Sequence, residues 1–196
     1  MPYREADQLN TYLFHEGTAI AAYEYMGAHA VTLEGTAGYM YRVWAPRAQA
    51  VSVVGDFNSW NPDAHPMEKI TQGIWERFIP GGQTYDAYKF AVTGADGVRR
   101  LKADPYAFHA ETRPGTASKL YGIEGYHWND ASWRESRRAR PVYNAPLNIY
   151  EVHLGSWKRR ENGDFLDYRS LARELAPYVK EMGFNFIELL PVTEYP

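Results

Sequence analysis

Ala50-Val51-Ser52-Val53-Val54 runs into Gly55-Asp56, and a short β-branched run stopped by turn residues reads as a strand. The same pattern repeats on either side of it. Tyr39-Met40-Tyr41-Arg42-Val43-Trp44-Ala45 stops at Pro46, and Ile74-Trp75-Glu76-Arg77-Phe78-Ile79 stops at Pro80-Gly81-Gly82. Ala87-Tyr88-Lys89-Phe90-Ala91-Val92 stops at Gly94-Ala95-Asp96-Gly97. Short aromatic and β-branched runs, punctuated in this way, predict an all-β sandwich.

Past Arg113 the periodicity is lost, and Pro114, Gly115, Gly122, Gly125, Pro141 and Pro146 mark a connector over 114–146. Trp128 and Trp133 suggest that this connector lies packed against something. After Pro146 the pattern changes again: Leu147-Asn148-Ile149-Tyr150-Glu151-Val152-His153-Leu154 reads as a strand. Tyr168, Leu171, Leu175, Tyr178, Val179 and Met182 then recur at helical spacing. Asp167 is placed to cap that helix, Gly183 to stop it, and Pro177 to remove one hydrogen bond and bend it. Phe184-Asn185-Phe186-Ile187-Glu188-Leu189-Leu190-Pro191 is apolar enough for a buried second strand. Strand, helix, strand predicts a parallel pair, the opening of an α/β layer over 147–196. A whole (β/α)₈ barrel needs about 250 residues, so 196 cannot hold one.

With 21 basic and 24 acidic residues the net charge is −3, which gives no field for nucleic acid or an anionic bilayer. Arg134, Arg137, Arg138 and Arg140 form the one basic cluster and read as a solvated linker. No apolar run approaches the roughly 18–20 residues of a membrane span, and the opening residues show no secretory signal, so a cytoplasmic protein is expected. Cysteine is absent, which excludes thiol nucleophiles and thiolate metal sites. His15, His29, His65, His109, His127 and His153 lack the close pairing of zinc ligands, and no phosphate loop or His-Glu-x-x-His helix occurs. No metal and no cofactor are therefore expected. Glycoside chemistry needs two converging carboxylates; Glu151, Glu188 and Glu194 are the acids on or beside the later strands, and they read as structurally paired rather than catalytic.

Aromatics reach 15% of the chain, and tyrosine and tryptophan suit flat amphipathic ligands such as sugars as well as cores. Val54-Gly55-Asp56-Phe57-Asn58-Ser59-Trp60-Asn61 sets an aromatic and two amides on a tight turn. Turn chemistry accounts for Gly55, Asp56 and Asn58 without a ligand. Trp60 either faces solvent as a platform or folds back on the sandwich core.

These motifs carry a likeness. Arg42-Val43-Trp44-Ala45-Pro46, the run from Val51 to Trp60, Tyr88-Lys89-Phe90 and Ala103-Asp104-Pro105-Tyr106-Ala107 resemble the N-terminal glucan-binding sandwich of branching enzymes, isoamylases and pullulanases. Tyr150-Glu151-Val152-His153-Leu154-Gly155-Ser156-Trp157 and the run from Phe186 to Pro196 look like the first and second barrel strands of bacterial 1,4-α-glucan branching enzymes. Tyr12 to Thr18 and Tyr23 to His29 resemble the lead-in of the same group.

The resemblance implies a mainly β, immunoglobulin-like sandwich followed by the first β-α-β of an incomplete (β/α)₈ barrel. It divides the chain into a lead segment at 1–30, a sandwich at 31–113, the connector at 114–146 and a barrel start at 147–196. It implies an activity that cleaves α-1,4-glucan and transfers the chain through a covalent glycosyl-enzyme to make α-1,6 branches. The family's nucleophile and acid–base lie on the fourth and fifth barrel strands, so no catalytic residue is expected here and this chain alone should be inactive. A related kinase module binds glucan with a turn tryptophan and a strand lysine, which match Trp60 and Lys89; Asn61 joins them as a candidate. In that module a later tryptophan follows an Asp-Gly turn, whereas here Asp96-Gly97 is followed by Val98-Arg99-Arg100. The partners implied are α-glucan and the rest of the barrel. A free, non-catalytic glycogen- or starch-binding module is the alternative. Without a role in binding, Lys89 reads as a solvated strand lysine.

Overall fold

The computed structural model describes residues 2–140 and 142–192, and its chain divides into two compact units at Tyr126/His127. The first unit opens with helix α1 (Pro2–His15) and continues through β1 (Gly27–Leu33), β2 (Thr36–Trp44), β3 (Ala50–Gly55), β4 (Glu68–Thr71) and β5 (Ile74–Pro80). It is completed by β6 (Ala87–Thr93), β7 (Arg99–Lys102), β8 (His109–Ala110) and β9 (Ser118–Lys119).

The expected sandwich is present. One antiparallel sheet has the order β1-β2-β5-β4 and the other β3-β6-β9-β8, with β7 also on β6. β9 pairs with the start of β6 at Ala87 and Tyr88, and β7 with its later half from Phe90 to Thr93. Alternate residues of the two sheets meet in one core: Tyr41, Val43, Trp75 and Ile79 from the first, Val51, Val53, Tyr88 and Phe90 from the second. The sheets run beyond 31–113, because β1 begins at Gly27 and Ser118–Lys119 adds a strand whose neighbour Leu120 is fully buried.

The most deeply buried charged groups of this unit are paired, as a dry interior requires, although the buried nitrogens His15 Nε2 and Arg77 Nε have no hydrogen-bond partner. Arg42, 1% exposed, donates from Nε to its cross-strand partner Glu76 at 2.6 Å, and its guanidinium lies 4.3 Å from the Tyr25 ring centre. Asp104, within the Asp-Pro-Tyr motif, accepts from Tyr88 Oη at 2.6 Å and from the Tyr106 N–H at 2.8 Å. Burial pushes its carboxyl pKa up, with those hydrogen bonds and His29 opposing.

The second unit holds α2 (Ala131–Ala139), β10 (Ile149–Val152), the single turn α3 (Leu154–Trp157), α4 (Tyr168–Glu181) and β11 (Phe186–Leu189). β10 and β11 are parallel, with Ile149 opposite Phe186 and Val152 opposite Leu189. Asp167 caps α4 by accepting from the Ser170 N–H at 2.8 Å, and Gly183 follows the helix at φ 83°. The helix runs through Pro177 and buries Leu171, Leu175 and Val179, the last two packing with Val152. Trp128 and Trp133, read above as packed, are exposed; the Arg137 guanidinium instead covers the Trp133 ring at 5.3 Å. Arg134, Arg137 and Arg138 lie exposed on α2.

Among the described residues no helix is long and apolar enough to cross a membrane, and no group of three or more His, Asp or Glu could hold a metal ion.

Candidate functional site

β3 ends at Gly55, where a side chain has no room: a Cβ there would run into the Ala87 carbonyl oxygen and lie 2.6 Å from the Phe57 ring. A 3₁₀ turn over Asp56–Asn58 follows, and then Ser59 and Trp60 take the left-handed region at φ 53° and 59°. Such conformations are uncommon for residues with a side chain and persist where surrounding bonds impose them.

Asn58 imposes much of this one. Its Oδ1 accepts from the Gly55 N–H at 3.0 Å, and its Nδ2 donates to the Val53 carbonyl at 2.9 Å. These two backbone partners fix the amide orientation, so the remaining Nδ2 proton goes to His65 Nδ1 at 2.8 Å. His65 is therefore an acceptor at Nδ1 and carries its proton on Nε2. Desolvation, and then the nearby Arg77 charge, lower its pKa.

Trp60 does not fold back on the core; Phe57 packs there instead, and the indole is 36% exposed. Its Nε1–H donates to Asp56 Oδ1 at 3.1 Å while the other oxygen of that carboxylate accepts from the Ala87 N–H at 2.8 Å. One carboxylate thus joins the indole to the first residue of β6. Lys89 lies two residues along that strand, opposite Val54, half-buried, with Nζ donating to Thr116 Oγ1 at 2.6 Å. Asn61 is exposed beside Trp60, its Oδ1 accepting from the Asp63 N–H at 3.0 Å.

The structure accordingly sets Trp60 and Asn61 on one turn and Lys89 on the strand to which that turn is bonded. Sequence reasoning assigned Asp56 to turn formation alone and passed over Thr116. Neither role has a local signature, since Asp56 reaches a backbone 31 positions away and Thr116 a lysine 27 away.

In the second unit, an open pocket of about 500 Å³ sits at the carboxyl ends of β10 and β11, lined by His153, Phe165, Asp167, Tyr168 and Pro191 among others. Hydrogen bonds from the Ser170 backbone and hydroxyl hold the Asp167 carboxyl below its ordinary pKa. Glu151 and Glu188 are exposed and directly opposite one another in register. Glu194 lies outside the described residues.

Residues 25–107 match the family described as Carbohydrate-binding module 48 (Isoamylase N-terminal domain). Over 94% of its length the chain is 52% identical to the 1,4-alpha-glucan branching enzyme GlgB of Halothermothrix orenii. It is 48% identical over 96% to that of Geobacillus stearothermophilus, and 47% over 95% to that of Bacillus subtilis. The resemblance read from the sequence is thereby borne out. The chain spans 30% of the length of each of these three relatives. Among solved structures, a type I pullulanase of Bacillus subtilis in complex with maltose matches with a TM-score of 0.63, 21% identity and coverage of 87% of this chain and 24% of that one. A pullulanase from Bacillus acidopullulyticus matches at 0.61 and 19% identity, again over 87% of this chain and 22% of its own. At such identities the likeness is one of fold.

Proposed function

We infer that this chain, similar over nearly all its length to 1,4-alpha-glucan branching enzymes and carrying a carbohydrate-binding module, is the N-terminal part of such an enzyme. The whole enzyme, in the cytoplasm, cleaves α-1,4-glucan and transfers the chain to form α-1,6 branches. The residues before Gly27 lead in, the sandwich whose strands run from Gly27 to Lys119 binds α-glucan, the stretch after it up to 146 connects, and 147–196 open the (β/α)₈ barrel, whose remaining strands are the partner of this segment and carry the catalytic acids.

The observation that carries the binding reading is the bonding of Trp60. Its indole N–H is engaged by Asp56 and the residue is 36% exposed, so ring carbon is what the side chain has left to offer a ligand. A pyranose presents a matching apolar face, and stacking the two removes both from water. Lys89 adds an ammonium donor from the neighbouring strand. Asn61, with its oxygen engaged by Asp63, keeps its amide nitrogen to donate to sugar hydroxyls. A site of this size implies millimolar to micromolar affinity, about −4 to −8 kcal/mol.

The pocket at the carboxyl ends of β10 and β11 supports the barrel reading, because sites of (β/α)₈ enzymes gather at that end of their strands. The parallel pair also favours it over a free binding module, which has no use for half an α/β layer.

Native electrophoresis through gels containing glycogen tests the binding. Retardation of the chain is expected, with Trp60→Ala clearly less retarded while its melting curve stays close to that of the parent. Unchanged retardation of Trp60→Ala would remove Trp60 from the site. The 196-residue chain is expected to leave amylose unbranched, and iodine-detected branching by it would overturn the assignment of chemistry to other strands.

A further inference from the structure

A second group of exposed rings lies outside the Trp60 turn. Tyr85, 53% exposed, meets His109 at 5.4 Å and Tyr121 at 5.5 Å between ring centres, and His109 meets Tyr121 at 5.2 Å. The three rings are in mutual contact, Tyr85 edge-on to His109 at 82° and Tyr121 tilted by 42° and 49° to the other two, and so form an angled aromatic cluster with polar tips, of which Tyr85 is the most exposed member. The backbone is bent to present it: Tyr85 sits at φ 77°, a region that glycine enters freely and L-residues rarely adopt. Its N–H donates to the Leu120 carbonyl at 2.8 Å, which locks the turn before β6 to the end of β9.

His109 Nδ1 lies 2.8 Å from the Ala110 carbonyl. A carbonyl only accepts, so Nδ1 carries the proton and Nε2 of the neutral ring is left as an acceptor. No hydrogen bond of the Tyr85 or Tyr121 hydroxyl occurs among the described residues. The cluster therefore offers stacking faces, two phenol hydroxyls and an imidazole acceptor together, the mixture a carbohydrate needs and a purely apolar partner does not.

Its position adds an argument. Tyr85 stands two residues before β6 and Tyr121 two residues after β9, and the start of β6 is opposite the end of β3, since Gly55 pairs with Tyr88. The ring cluster and the Trp60 turn thus lie at the same end of one sheet.

We propose that Tyr85, His109 and Tyr121 form a second α-glucan platform, so that one long glucan chain can engage both it and the Trp60 turn. This rests on the reading that the module binds α-glucan, and it predicts stronger retention of long chains than either platform gives alone.

Tyr85→Gly is the test, because glycine keeps the backbone at positive φ and removes only the ring. In glycogen-containing native gels its dissociation constant should rise about two- to tenfold, the range of one lost aromatic contact. Tyr85→Phe should retain most of the binding, and the melting temperature of Tyr85→Gly should hold or rise. Loss of retardation on Trp60→Ala with none on Tyr85→Gly would overturn this proposal and leave the module's glucan binding standing. A fall in melting temperature for Tyr85→Gly would assign the ring to packing and equally overturn it. Absence of retardation for the unsubstituted chain would sink the glucan reading itself, and this platform with it.

Discussion

The sandwich and the β10–α4–β11 segment are built from similar strands, yet they treat those strands in opposite ways. In the sandwich, the inner faces of β3 and β6 meet a second sheet, and Val53 and Phe90 are wholly withdrawn from water. In the other unit, Phe186, Ile187 and Leu189 of β11 are all exposed, and the apolar cluster is limited to the α4 side of β10. Apolar content therefore does not decide whether a strand is buried; a covering layer does. Most of the folding free energy of this chain is accordingly expected in its first unit.

The largest effect should come from Phe90→Ala, at a cost of about 3–5 kcal/mol, because the ring is fully buried between sheets and its cavity cannot collapse easily. Leu175→Ala should cost about 2–3 kcal/mol and act on the second unit alone. Thermal unfolding followed by near-ultraviolet circular dichroism, with trypsin digestion in parallel, checks both. Phe90→Ala should lower the main transition, whereas Leu175→Ala should leave it in place and speed cleavage around Arg137–Arg140. A main transition lowered equally by both would erase the distinction between the units.

The smallest effect sharpens the comparison within the first unit, between its rigid core and its exposed turn. The fold lowers the His65 pKa, so on acidification the unfolded chain takes up this proton first. The stability that His65 contributes is complete above the ordinary histidine value, about 6.5, and is lost as pH falls through that value toward the lower folded one. Protonation at Nδ1 would also break the bond from Asn58 that shapes the Trp60 turn. Tryptophan fluorescence and glycogen retardation should thus weaken between pH 7 and pH 5, and His65→Gln, which keeps an acceptor, should respond less. Asp104, raised by burial, contributes the opposite slope, so the difference between the two proteins is the quantity to read. Identical pH profiles for parent and His65→Gln would exclude the histidine.

What was legible in the sequence follows the same division between local and distant causes. The β2, β3, β5 and β6 strands could be read because their period and their stops are local, and Asp167 and Gly183 bounded α4 for the same reason. β8 and β9 are two residues each; β9 pairs with the open edge of β6 and β8 in turn with β9, which no local pattern announces. Trp128 and Trp133 are more exposed than their apolar rings suggest, because burial depends on how much of a neighbouring layer covers a ring and not on the residue type. At the turn, the residues were readable but their wiring was not: Asp56, Thr116 and Tyr85 act through groups far away along the chain.

The two-handed grip of Asp56 has a thermodynamic consequence for recognition. A free tryptophan side chain must surrender its rotational freedom when a ligand arrives, and that entropy is subtracted from the affinity. Here the indole is already held by one oxygen while the other is anchored to the sheet, so that loss was incurred when the chain folded. Asp56→Ala should therefore weaken binding without touching the ligand, by returning to Trp60 the motion that folding had taken away.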